Sequence, residues 1–159
     1  MTDFPALFRS LHHAGVEFIV VGGAAATAHG SVRLTLDLDI VYRRTDENLT
    51  RVVDSLAPVH PYLRGAPPGL PFRLDVDTLK RGLNFTLVTD AGWIDLLGEI
   101  AGGGDYDDLL PFTDALTLFE IPCRCLSLER LIQVKRAAGR PKDLEALAEL
   151  EAIAEERRR

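Results

Sequence analysis

The feature that most restricts the fold is a short succession over residues 18–42: FIVVGG, then AAATAHG, then LTLDLDIVY. A run rich in β-branched residues and closed by two glycines reads as a buried strand. The small residues after it read as a short helix stopped by Gly30. A second apolar run then carries Asp37 and Asp39, one residue apart. Residues i and i+2 of a strand share a face, so the two carboxylates project together while Leu36, Leu38 and Ile40 are expected to pack on the other side. Two carboxylates ~7 Å apart on a strand repel unless something positive sits between them. Mg²⁺ meets that need, because it takes oxygen ligands and keeps positions open for phosphate. Gly22 and Gly23 let a phosphate approach the backbone where a helix starts, and free N–H groups there carry partial positive charge. An edge strand facing water accounts for the Asp-x-Asp alone; the glycine pair before a helix turns the pattern toward a phosphate cradle facing a metal.

A third carboxylate lies in GWIDLLGEI, where Asp95 stands among Ile94, Leu96 and Leu97. An unpaired acid in an apolar strand is costly. If this strand runs beside that of Asp37, Asp95 completes a three-carboxylate site able to hold two ions.

Around these segments the chain reads as mixed strand and helix, an α+β or α/β arrangement. DFPALFRSLHHAG is an expected helix capped by Asp3 and ended by Gly15, and Thr45 caps another with Leu49, Val52, Val53 and Leu56 on one face. Residues 58–71 hold five prolines and two glycines and read as a functional or mobile loop. RLDVDTLKRG is ambiguous, and LNFTLVTDAGWIDLLGEI is a hairpin turning at Asp90-Ala91-Gly92. GGGDYDD reads as a flexible acidic turn, and DALTLFEIPCRCLS as one or two strands. Ser127 opens a helix ending at Gly139, and Pro141 starts the last one. Residues 1–159 are expected to form one domain, with a core over about 15–100 and C-terminal strands and helices over about 113–156.

Composition bounds the alternatives. The formal net charge of −6 disfavours the whole molecule as a trap for nucleic acid, although Lys135, Arg136, Arg140 and Lys142 form a local basic group. No apolar run reaches the ~20 residues of a membrane span, and the first residues lack a secretory pattern, so a cytoplasmic protein is expected. Cys123 and Cys125 are read as reduced thiols. His29 is read as a packing or capping residue, His12 and His13 as first-helix residues without the acidic companion a metal site needs, and Trp93 as a rim or core aromatic.

The segments FIVVGGAAATAHGSVRLTLDLDIVY and GWIDLL resemble the nucleotidyltransferase superfamily that includes DNA polymerase β and kanamycin nucleotidyltransferase, with its hG[G/S], Dh[D/E]h and later single carboxylate. The wording around GGAAATAHG and Arg33 is similar to the bacterial AbiEii-like, toxin-related branch. The resemblance implies an α+β nucleotidyltransferase fold, a mixed sheet flanked by helices, and transfer of an NMP from an NTP to an acceptor hydroxyl on RNA, protein or a small molecule. It implies Mg²⁺ or Mn²⁺ at Asp37, Asp39 and Asp95, with Asp95 also the base. It implies nucleotide contacts from Gly22, Gly23, Arg33, Lys135, Lys142 and Asp143, and a toxin–antitoxin setting with a partner protein. A non-catalytic nucleotide-binding or antitoxin role on the same fold is the alternative. Position 23 departs from the pattern, since many active members have Ser there.

Overall fold

The computed structural model describes residues 1–159. In chain order its elements are α1 (Phe4–His13), β1 (Phe18–Val21), α2 (Gly22–Ala28), β2 (Asp37–Tyr42), α3 (Asp46–Leu56), β3 (Tyr62–Leu63), α4 (Val76–Arg81), β4 (Asn84–Thr89), β5 (Gly92–Leu97), β6 (Glu99–Ile100), β7 (Gly104–Asp105), α5 (Tyr106–Leu109), β8 (Thr113–Leu118), β9 (Ile121–Leu126), α6 (Leu128–Ala138) and α7 (Pro141–Arg157). The helix starts follow local chemistry. Asp3, Thr45 and Ser127 accept backbone N–H bonds from Ala6, Asn48 and Arg130.

Seven strands form one mixed sheet in the order β3-β4-β5-β2-β1-β9-β8, and β6 pairs separately with β7. β1 runs antiparallel to β2, whereas β2 and β5 are parallel, with Asp39 directly opposite Asp95 and Asp37 opposite Trp93. Alternation on β2 buries Leu38 and Ile40 completely, while Asp37 and Asp39 turn toward the face on which α2 begins. α2 packs on β1, β2 and β9 and touches α6, and α6 pairs with α7. The first residues cross the entry ends of both acid-bearing strands: the Asp3 N–H donates to Ala91 O (2.7 Å), and the Thr2 hydroxyl accepts from the Trp93 N–H (3.0 Å) and donates to Leu36 O.

Several expectations are revised. The second strand begins at Asp37 rather than Leu34, and Leu36 is 52% exposed instead of packing with Leu38 and Ile40. Apolar alternation continued into residues that line a cleft rim, where local pattern cannot distinguish rim from core. The Pro-rich loop carries the short strand β3, paired with β4. The acidic turn is ordered as β7 and α5, fixed by a capping box in which Asp105 and Asp108 each accept the other's backbone N–H. GWIDLLGEI divides, with Glu99 and Ile100 leaving the main sheet for β6. No helix is long and apolar enough to cross a membrane.

Candidate metal and phosphate site

The β2–β5 register brings Asp37, Asp39 and Asp95 together: one carboxylate oxygen from each lies within 4.8 Å of the others. Oxygen donors at this spacing suit a hard divalent cation. One oxygen of Asp39, Oδ1, is buried with no hydrogen-bond partner. A buried acceptor left this way is destabilising, and a cation ligand would relieve it. The donor set therefore fits the metal that the sequence pattern implies.

The electrostatics follow from the crowding. Burial, reinforced by the Asp37 and Asp95 charges, pushes the Asp39 carboxyl up to about 8. Burial also raises Asp95, against which the Arg64 guanidinium acts in the opposite direction.

Arg64 was not foreseen. It follows β3 in the Pro-rich loop and is fixed by its backbone N–H to Thr86 O (2.9 Å) and by Nη2 to Leu87 O (2.8 Å). The same Nη2 donates to Asp95 Oδ1 at 2.9 Å, Nη1 lies 3.6 Å from Asp37 Oδ2, and the guanidinium stands 4.6 Å from the Trp93 ring centre. The available signal was one of charge balance, because three converging carboxylates need a cation and a loop arginine can supply it. Nothing in the periodicity of the loop singles Arg64 out.

Both glycines of the pair are required by close approach. Gly22 has φ +61°, and a Cβ there would run into the Asp39 carboxylate. At Gly23 a Cβ would come 2.6 Å from the Thr35 hydroxyl, so Thr35 fills the space that a side chain at position 23 would use. Thr35 Oγ1 also donates to Asp37 O at 3.2 Å. A hydroxyl thus stands beside Gly23 although the residue there is not serine.

A cleft of about 510 Å³ opens over these residues and is lined by Gly23, Asp37, Asp39 and Asp95, together with Lys135, Arg140, Lys142 and Asp143 from the α6–α7 junction. Gly22 lines a smaller adjoining cavity that shares Asp39 and Lys135 with the cleft. Arg33 is at the cleft too, 3.5 Å from Glu145 of α7. Asp143, only 1% exposed, is held by Arg140 Nε (2.6 Å) and Lys135 Nζ (3.4 Å), and these cations keep its carboxyl below the usual range. The structure thus brings the three carboxylates, Gly23, Arg33, Lys135, Lys142 and Asp143 to one cleft, with Gly22 abutting Asp39 from the cavity next to it. His29 lies apart: it is buried, donates from Nε2 to Leu126 O (2.7 Å) and receives Arg157 Nη2 at Nδ1 (3.2 Å), a packing role as expected.

No protein-family model and no curated protein matches the chain by sequence. Solved structures that share its architecture include two described by name. One is a Thermotoga maritima protein provisionally assigned as a nucleotidyltransferase, with 18% identity, a TM-score of 0.56, and coverage of 90% of this chain and 86% of that one. The other is the lincosamide antibiotic adenylyltransferase LnuA in its lincomycin-bound form, with 14% identity, a TM-score of 0.61, and coverage of 96% and 98%. At these identities the likeness establishes the nucleotidyltransferase fold.

Proposed function

We propose that this protein is a metal-dependent nucleotidyltransferase that moves an NMP from an NTP to an acceptor hydroxyl and releases pyrophosphate. The single observation that carries the reading is the convergence of Asp37, Asp39 and Asp95, with the orphaned Asp39 Oδ1 among them, in one cleft with Lys135, Arg140 and Lys142. Mg²⁺ or Mn²⁺, held by the three aspartates, would supply charge stabilisation on the phosphates. The residues themselves divide the remaining work. The backbone at Gly22 and Gly23 seats the triphosphate, and Arg33, Lys135 and Lys142 receive the negative charge that builds on the leaving pyrophosphate. Asp143 takes no phosphate itself in this reading; bonded to Lys135 and Arg140, it sets where those cations stand. Asp95 takes the proton of the acceptor hydroxyl as its oxygen attacks the α-phosphorus and the bond to pyrophosphate breaks.

The net charge of −6 and a cationic group within one cleft suit a triphosphate better than a long nucleic-acid backbone. We take the acceptor to be a small molecule or a protein hydroxyl, the former being what LnuA presents. The narrower placement in an AbiEii-like toxin–antitoxin pair, acting in the cytoplasm with a partner protein, rests on the sequence resemblance alone; co-purification with the product of the neighbouring gene tests it. For the activity itself, the full chain is incubated with each labelled NTP and Mg²⁺ or Mn²⁺ and candidate acceptors. Asp37→Asn is expected to lower transfer by at least about 100-fold with an unchanged melting profile. Turnover that survives this substitution removes the proposal.

A further inference from the structure

We infer that Arg64 is a positioning residue that holds the place of the metal in the nucleotide-free protein, so that stable metal binding waits for the triphosphate. The inference rests on the transferase reading and concerns the order in which that site fills.

Arg64 is poorly placed for a purely structural role. Its charge does not point to solvent: the side chain is 21% exposed and its Nε is buried with no partner. A buried guanidinium with an unmatched donor is unfavourable unless the site gains from the charge. What it faces is the pair of carboxylates at the two ends of the acidic group, Asp95 at 2.9 Å and Asp37 at 3.6 Å. Trp93 backs the guanidinium at 4.6 Å, and the carbonyl of Leu87 fixes its direction at 2.8 Å. The cation is therefore pinned on three sides and cannot swing away freely.

Those same two carboxylates belong to the group whose ligand atoms lie within 4.8 Å of one another. A divalent ion held by this acidic group would stand near the fixed positive charge of Arg64, and repulsion between them would be strong at the low effective dielectric of a half-buried site. The metal-free site is already partly neutralised by Arg64, and a bare ion gains less there than three free aspartates would offer. A metal arriving with a triphosphate brings its own negative charge, which offsets the guanidinium. Arg64 also holds Asp95 by one oxygen, Oδ1, and so fixes the orientation of the group assigned as the base.

The test measures Mn²⁺ binding to the full-length protein without nucleotide, by electron paramagnetic resonance of the free ion, in the wild type, Arg64→Gln and Trp93→Leu. Trp93 is 40% exposed, so its replacement leaves the fold intact while removing the support of the guanidinium. Arg64→Gln is expected to bind Mn²⁺ about tenfold tighter than wild type and Trp93→Leu about threefold tighter. Thermal melts with and without Mn²⁺ accompany each titration. Tightening in both variants carries the inference; equal or weaker affinity in Trp93→Leu, or in an Arg64→Gln protein that still melts cooperatively, overturns it and leaves the transferase reading standing. Failure of all three proteins to bind Mn²⁺ without nucleotide overturns the inference, whereas the transferase reading falls only if labelled NTP with Mn²⁺ gives no transfer that Asp37→Asn abolishes.

Discussion

Gly22 and Asp39 compete for the same space: the position a Cβ would occupy on Gly22 is taken by the Asp39 carboxylate. The glycine therefore does two things at once, adopting φ +61° and letting the carboxylate lie against the start of α2. Gly22→Ala is expected to cost about 1–3 kcal/mol of stability and to weaken metal binding more than it weakens folding. Paired denaturation and Mn²⁺ titrations check this. A variant with full metal affinity would separate the glycine from the site.

Asp39 is held buried among like charges with one oxygen unpartnered. Sites of this kind carry strain that function requires and folding does not. Asp39→Asn is expected to raise the stability of the metal-free protein by about 1–3 kcal/mol while abolishing transfer. Chemical denaturation in the presence of a chelator reads the first effect, and labelled-NTP assays read the second.

The hydroxyl of Thr35 fills the space beside Gly23. Thr35→Val keeps the shape and removes the hydroxyl, and a single lost hydrogen bond is worth about 0.5–1.5 kcal/mol. KM for the NTP is expected to rise about threefold to tenfold, with kcat changed less. Steady-state kinetics with saturating acceptor separate the two.

Asp143 links α7 to α6 through Arg140 and Lys135, and its carboxyl is held below the ordinary range, chiefly by the Arg140 hydrogen bonds. The unfolded chain, with a carboxyl near about 3.9, takes up the proton first as pH falls. The stability contributed by Asp143 is thus complete above about pH 4 and is lost as pH drops through the lower folded value. Asp143→Asn should melt earlier at neutral pH and lose less on acidification than the wild type. Melting curves across the acid range measure the difference.

What could be read from the sequence divides along physical lines. Asp37, Asp39 and Asp95 stood out because acids within apolar, period-2 runs conflict with burial, and the glycine pair ahead of a helix turned the reading from a water-facing edge strand toward a shared pocket. The capped helices at Asp3, Thr45 and Ser127 were equally legible, since their signals are local. Arg64 was not, because it sits among prolines and glycines with no periodicity, and its meaning depends on a strand pairing 23 residues along, at Leu87. Leu34 and Leu36 misled for the opposite reason: they continue an apolar alternation, yet the chain there runs along the cleft and leaves them 83% and 52% exposed. The shared position of Arg33 and Lys142 needs the tertiary fold, because it is the return of α7 that puts them on the same cleft.

Ahead of α1, Thr2 and Asp3 fasten the starts of the two strands that bear Asp37, Asp39 and Asp95. They work as a clasp. Trimming them, or pulling on them with a bulky fusion, would loosen Leu36 and Trp93 and so slacken the spacing between Asp37 and Asp95. The transfer activity proposed for this cleft is therefore sensitive to the contacts that Thr2 and Asp3 make.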